Sequence, residues 1–301
     1  MIDLKDTFEC GQCFRWNLDD SGKYIGVVGH KIYVINESGD FSDDSKLNTE
    51  ISNEKVCVIK NLDDIPPELY TYLDMGTDYE GIQKELIKKD KTGVMKKAVE
   101  AGKGIHILRQ DLWETIVSFI ISQNNNIPRI KGCIEKLSEI CGEYIGEYEG
   151  KKYYSIPSPE KLAELAREDL ALAKLGYRDK FLIESAKMYV AEAKMYAAGK
   201  KTYAEDRLHM DEDNPYMTGE ADISKLPGVG PKVESCIKLF GMHDMKSFPI
   251  DVWVKKIMNE VYGFDENDIK GMAKFAAETF GDYAGLAQQY LFNYVRNARI
   301  K

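Results

Sequence analysis

The 301-residue chain has no run approaching the roughly 18 consecutive apolar residues of a membrane span, so no membrane partner is expected. Its opening residues, MIDLKDTFEC, lack both a basic and an apolar leader segment; no secretory signal is read there, and a cytoplasmic location is the default expectation. Tandem repeats and low-complexity segments are also missing. Cysteine is sparse, with residues 10, 13, 57, 133, 141 and 236 only, and reduced thiols are expected in such a context. Cys10 and Cys13 form a C-x-x-C, but no second pair and no H-x-H follows at zinc-ligand spacing, so metal or redox chemistry is set aside.

Positive charge is in deficit as well. The net charge of −9 weighs against a nucleic-acid partner. Its distribution softens that argument, because residues 1–105 hold 14 Lys+Arg against 20 Asp+Glu, whereas residues 106–301 hold 27 against 30. Most of the acidity therefore lies in the first third, and bulk charge says nothing about a local basic face.

What is present describes an ordinary globular chain with ample core, 44% hydrophobic and 30% charged. The N-terminal third reads as sheet. KYIGVVGHKIYVINESG (23–39) alternates and is rich in β-branched and aromatic residues, and EKVCVIKN (54–61) reads as a further strand. The polar ESGDFSDDSKLN between them reads as a loop. A helix then opens near Pro67 and ends by Gly76, with another over 78–90.

From about residue 105 the pattern is helical, with no strand pattern interrupting it. Asp111 is the expected cap of a helix over 111–123, and Ser158 with Pro159 opens another over 158–165. Further helices are expected near 179–198, 222–225, 230–241, 251–261, 267–279 and 283–298. The expected fold class is α+β: a small antiparallel-sheet domain over residues 1–104, then a larger all-α domain over 105–301.

ISKLPGVGPKVESCIKLF (223–240) reads as a short helix, a turn carrying Gly228 and Gly230, and a second helix: a helix-hairpin-helix over 222–241. The glycines permit positive φ and close approach of a partner, and the amides opening the second helix can hold a phosphate oxygen. No strand precedes the turn and the third glycine of a dinucleotide fingerprint is missing; a Walker loop fails too, its lysine lacking the required flanks. A plain αα-hairpin turn stays open as the alternative.

Lys232 falls in the first turn of that second helix, where the macrodipole disfavours an ammonium and burial would disfavour it further. A neutral amine there is a nucleophile able to form a Schiff base, with Cys236 one turn on at i+4. In HDMKSFPIDVWVKKI (243–257), Pro249 forces an extended approach and Asp251 stands at an expected N-cap. A carboxylate placed so could face the lysine and stabilise an oxocarbenium-like sugar. An ordinary surface lysine and an ordinary helix cap are the plainer alternatives.

The G-V-G-P-K hairpin followed by P-I-D resembles the helix-hairpin-helix superfamily of base-excision DNA glycosylases. CGQCFRW (10–16), ILRQDLWETIVSFIISQNNNIPRI (107–130), LGYRDKF (175–181) and AGLAQQYLF (284–292) resemble its 8-oxoguanine branch, and the likeness spans nearly the whole chain. The resemblance implies a TBP-like N-terminal domain and a bifunctional enzyme. Lys232 would attack C1′ of the flipped nucleoside and then nick the strand by β-elimination, with Asp251 steadying the sugar cation. It further implies that Phe292 stacks on the base, with Phe240 or Cys236 on the other face. Gln288 would read the Watson–Crick edge, and the Gly11 carbonyl would accept from N7–H.

That last bond separates 8-oxoguanine from guanine by about 1–3 kcal/mol, the penalty of an unmatched acceptor. On the other strand Asn124 would fill the vacated space, Tyr177 would wedge, and Arg129 and Arg178 would donate to the orphaned cytosine. Backbone carbonyls of Ser224, Leu226 and Val229 match positions that hold a structural cation (K⁺, Na⁺ or Ca²⁺). No cofactor is otherwise expected, and no cysteine follows Cys236, so a four-cysteine iron–sulfur cluster is not expected.

Two departures stand out: Trp253 occupies the place of a phosphate-contacting histidine, and Val295 the place of its acidic support. Pro128, within NNNIPRI, puts the aim of Arg129 in question. The expected partner is double-stranded DNA containing 8-oxoguanine, met by a monomer. A monofunctional alkylbase glycosylase would not need a lysine at 232, and a non-catalytic DNA-binding hairpin would leave CGQCFRW and AGLAQQYLF unexplained.

Overall fold

The computed structural model describes residues 1–36, 55–59, 62, 65–200 and 214–298; the stretch 37–48 read above as a loop lies outside them. In chain order the elements are α1 (Leu4–Glu9), β1 (Trp16–Leu18), β2 (Lys23–Val28), β3 (Lys31–Asn36), β4 (Val56–Ile59), α2 (Pro67–Tyr72), α3 (Tyr79–Lys89) and α4 (Val94–Ala101). There follow α5 (Leu112–Ser122), α6 (Ile127–Cys141), β5 (Tyr144–Tyr148), β6 (Lys151–Tyr154), α7 (Pro159–Glu164), a 3₁₀ segment (Arg167–Ala173) and α8 (Arg178–Lys200). The chain ends with a 3₁₀ turn (Ile223–Lys225), α9 (Pro231–Gly241), α10 (Val252–Glu260), α11 (Ile269–Phe280), a second 3₁₀ turn (Gly281–Tyr283) and α12 (Ala284–Ala298).

These elements form two compact units, and neither is contiguous. One joins Met1–Gln12, Pro67–Gln110 and Pro231–Lys301; the other joins Cys13–Pro66 and Asp111–Gly230. A boundary at 104/105 falls inside the first unit.

In the second unit the sheet order is β1-β2-β3-β4. The first three strands pair antiparallel, with Trp16 opposite Gly26 and Ile25 opposite Val34, and β4 joins β3 in parallel with Val56 opposite Ile32. A side chain at Gly26 is excluded by the indole of Trp16, which stands 2.3 Å from where its Cβ would be. Ile25, Val27, Ile32, Val34 and Val56 bury one core with Ile145 and Tyr153.

The last two residues belong to an antiparallel hairpin, β5–β6, which corrects the expectation of unbroken helix after residue 105. Its cause is local: YIGEYEGKKYY is rich in tyrosine, a strand-favouring residue, and Glu149 and Gly150 turn the chain at φ +49° and +77°. Helix α5 is buried along nearly its whole length and packs on α6 and α8. Its many β-branched residues are held helical by that burial, and Asp111 accepts from the Glu114 amide at 2.7 Å to start it.

In the first unit α12 packs against α4, α10 and α11. Its start is pressed against the 245–247 backbone: the Gly285 amide donates to Met245 O at 2.7 Å, and a Cβ on Gly285 would meet Ser247 O at 2.6 Å. Only glycine allows that approach. Residues 1–12 are anchored by Gln12, which is fully buried. Its Nε2 donates to His106 O and Thr7 O at 2.7 and 3.0 Å, and its Oε1 accepts from the Leu108 amide at 2.9 Å.

Candidate active site and nucleic-acid interface

The first unit brings together the residues expected to act on sugar and base. Asp251 has extended backbone before α10, and its Oδ1 accepts from the amides of Val254 and Trp253 at 2.9 and 3.0 Å. Burial pushes its carboxyl up, opposed by the Val254 amide, the Lys232 charge and the Trp253 amide. Lys232, at the second position of α9, hydrogen-bonds the buried Cys236 thiol, whose own pKa is raised by burial against the pull of that lysine. Amine, thiol and carboxylate therefore share one electrostatic environment. Lys232 itself is exposed, at the start of α9 where an arriving partner can reach its amine.

Gly11 turns the chain at φ +85°, and a Cβ there would lie 3.6 Å from the Phe292 ring. The turn is held from α12, where Gln289 Nε2 donates to Cys10 O at 2.8 Å. Gln288, one position earlier, is buried, and its Oε1 has no hydrogen-bond partner among the described residues. An unmatched buried amide oxygen costs stability, and such atoms concentrate where a ligand supplies the partner. Phe240 is buried on α9 and Phe292 half-buried on α12. Cys10 is a buried thiol donating to Thr7 O at 3.2 Å, and burial pushes its pKa up to about 11, as suits a structural thiol.

Sequence reading missed Gln12, Gln289 and Arg296, whose Nη2 donates to Glu9 O at 2.7 Å. All three serve the Gly11 turn through partners far along the chain. At the two departures, Val295 is fully buried, whereas Trp253 is 38% exposed at the start of α10 beside Val252 at 74%.

The second unit holds the residues assigned to the opposite strand. The polar stretch Gln123–Asn126 links α5 to α6 with Asn124 at φ +47°, and Asn124 Nδ2 donates to Tyr177 Oη at 3.3 Å. Tyr177 is 48% exposed and stands edge-on to Phe181, with centroids 5.8 Å apart. Pro128 sits in the first turn of α6, where its missing N–H is not needed, so Arg129 leaves an undistorted helix start into solvent.

Arg178, unlike Arg129, is turned inward. It is 4% exposed, and its guanidinium donates to Gln123 O (Nε, 2.9 Å; also Nη2), Asn124 O (Nη2, 3.1 Å) and Leu175 O (Nη1, 3.1 Å). Three of its hydrogen bonds go to the carbonyls of Gln123 and Asn124 and a fourth to Leu175 O, so the guanidinium braces the Asn124 turn in the free protein.

The turn of the hairpin also lies in this unit. Ser224 N and Oγ donate to Asp222 Oδ1 at 3.0 and 2.7 Å, the Val229 amide donates to Leu226 O at 3.0 Å, and Ser185 Oγ donates to Pro227 O at 2.7 Å. Gly228 has φ +83°, and a Cβ there would strike Phe181 at 2.9 Å. At Gly230 a Cβ would meet nothing within 4 Å, so nothing in the fold itself asks for glycine at that position.

Comparison with known proteins identifies the family. Residues 1–116 match the family described as 8-oxoguanine DNA glycosylase, N-terminal domain, and residues 117–281 match the HhH-GPD superfamily base excision DNA repair protein family. The N-glycosylase/DNA lyase OGG1 of Arabidopsis thaliana is 28% identical over 300 residues, which is 97% of this chain and 76% of the relative. Among solved structures, the Clostridium acetobutylicum 8-oxoguanine glycosylase/lyase, bound to duplex DNA with cytosine opposite 8-oxoguanine, superimposes with TM-score 0.75 at 35% identity, covering 99% of this chain and 93% of that one. MBOgg1 bound to a low-affinity DNA ligand gives TM-score 0.77 at 37% identity, with the same coverage. The chain belongs to the HhH-GPD superfamily of base excision DNA repair proteins, in its 8-oxoguanine DNA glycosylase branch. Among the described residues no helix is long and apolar enough to cross a membrane.

Proposed function

We propose that this protein excises 8-oxoguanine from duplex DNA and then nicks the abasic strand. The observation that carries the reading is the juxtaposition of Lys232, Cys236 and Asp251 in one unit, with the Gly11–Phe292 wall and the unmatched Gln288 in the same unit. The Lys232 nitrogen bonds to C1′ while the glycosidic bond breaks and the base leaves with the bonding pair and a proton. The nitrogen lone pair then forms the imine as the C1′–O4′ bond breaks and O4′ takes a proton from solvent. The Schiff base lets a proton leave C2′, and the 3′ phosphate departs by β-elimination. Asp251, pinned by two backbone amides, meets the developing sugar cation without reorganising.

Lys232 is exposed in the free protein, so its amine is open to the arriving duplex. On the complementary strand, Asn124 fills the vacated position, Tyr177 wedges and Arg129 donates to the orphaned base, with Arg178 holding the turn beneath them. The carbonyls of Ser224, Leu226 and Val229 are neutral oxygen donors suited to K⁺, Na⁺ or Ca²⁺, and Leu226 O keeps a second lone pair beyond its bond to Val229. A cation there would offset phosphate charge at the turn.

Borohydride trapping on a duplex with 8-oxoguanine opposite cytosine tests the reading. Wild-type protein gives a covalent adduct and Lys232→Gln gives none. No wild-type adduct, or an adduct with the variant, sinks the lysine assignment. A glycosylase that uses water alone would release base without any trapped species.

A further inference from the structure

Arg296 lies one helical turn after Phe292 on α12 and is absent from every motif that carried the family likeness. Its guanidinium lies between the chain leading into the Gly11 turn and the Phe292 ring. Nη2 donates to Glu9 O at 2.7 Å, the guanidinium carbon stands 5.2 Å from the centroid of the Phe292 ring, and Nη1 lies 3.7 Å from where a Cβ on Gly11 would stand. Its charge also reaches the Cys10 thiol. Nη1 is buried and has no acceptor among the described residues.

A guanidinium over an aromatic face fixes the ring it covers, and a forked donor fixes the backbone it binds. Arg296 therefore ties two parts of the wall that come from opposite ends of the chain, the Glu9 carbonyl leading into the Gly11 turn and the Phe292 ring. A buried charged donor without an acceptor is expensive, and it becomes matched when a ligand brings an oxygen beside Gly11.

We infer that Arg296 is a specificity-determining residue: it clamps the Gly11 turn to Phe292 and holds one charged donor for an oxygen of the bound oxidised purine. This rests on the glycosylase reading, and it deepens it by naming what keeps the wall in register before the base arrives. O8 stands beside N7–H on the edge that Gly11 reads and is missing from guanine, so a donor beside Gly11 that reaches O8 finds that acceptor only when the oxidised base is seated. The residue acts on base release and not on the sugar chemistry, because an abasic site has no base to hold.

The test uses full-length protein and two substrates, an 8-oxoguanine:cytosine duplex and a duplex with a pre-formed abasic site. Arg296→Met is expected to slow single-turnover base release by about 10- to 100-fold, as displacement of a positioned group does, while abasic nicking through Lys232 stays close to wild type. Arg296→Lys keeps the charge without the fork and is expected to recover only a small part of the loss. Equal loss in both reactions, unchanged base release in Arg296→Met, or full recovery by lysine would each overturn the inference. If wild-type protein leaves 8-oxoguanine in place while nicking abasic DNA, the glycosylase reading fails instead, and the two failures are told apart by the wild-type arm.

Discussion

Asp251 performs two tasks whose energies can be separated. As a cap it needs only an oxygen near the amides of Val254 and Trp253; as a stabiliser of positive charge it needs to be ionised. Asp251→Asn keeps the first and loses the second. Thermal unfolding should change by less than about 1 kcal/mol, since asparagine caps as well as aspartate. Single-turnover excision should fall about 100- to 1000-fold, the range for removing one preorganised electrostatic contact. Gln289→Ala, by contrast, leaves Cys10 O buried without its donor, and urea unfolding should show a loss of about 1–3 kcal/mol.

The caps at Asp111, Ser158 and Asp251 were legible because capping is a contact over two or three residues. The burial of Arg178 was not legible, for the opposite reason. Its carbonyl partners at 123 and 124 lie more than 50 positions away, and no local pattern marks a buried arginine.

At the level of elements, the two hairpin glycines make opposite predictions. Gly228→Ala forces a positive φ on a residue that disfavours it and pushes a methyl into Phe181, so it should destabilise the fold by about 1–3 kcal/mol. Gly230→Ala should leave the melting temperature unchanged and weaken duplex binding, because the space beside it is needed only by a partner. Equal effects of the two on stability would contradict this division.

Element boundaries followed the sequence well wherever a cap or a proline marked them. Strand β1 and the β5–β6 hairpin escaped notice. The first has only three residues, and the second sits between strongly helical neighbours although its tyrosines and its Glu-Gly turn are plain in retrospect. Helix α6 was not among the expected helices; Asn126 caps it, and Pro128 sits in its first turn where a missing N–H costs nothing.

Across the whole molecule, two buried carboxyls set opposing pH limbs. In the second unit, burial of Glu114 raises its pKa from 4.5 to about 7 against the attraction of Arg15, whose Nη1 lies 3.7 Å away. A raised folded value stabilises most below the ordinary one, so this contribution fades as pH rises from 4.5 to about 7. In the first unit burial also works to raise Asp74, but hydrogen bonds from His243, Tyr79 and Arg109 outweigh it and hold the carboxyl well below the usual range. That contribution is present above the ordinary 3.8 and is lost as pH falls beneath it. Glu114→Gln should flatten the limb between 4.5 and about 7 in a series of denaturant titrations and leave the acid limb alone. An unchanged neutral limb would show that Glu114 ionises normally in the folded protein.

The amino-acid sequence by itself determined the helices with marked ends, the strands with alternating faces, the hairpin around Gly228 and Gly230, and the pair Lys232 and Asp251. Each follows from spacing over a few residues, where chain geometry leaves few choices. Only the tertiary structure decided that Lys232 stands in solvent, that Arg178 serves the turn at Asn124, and that Gln12, Gln289 and Arg296 hold the Gly11 turn. It alone showed that residues 1–12 and 67–110 form one unit with 231–301 while 13–66 join 111–230. Those facts depend on contacts between distant parts of the chain, which arise from packing and from the need to satisfy buried donors and acceptors.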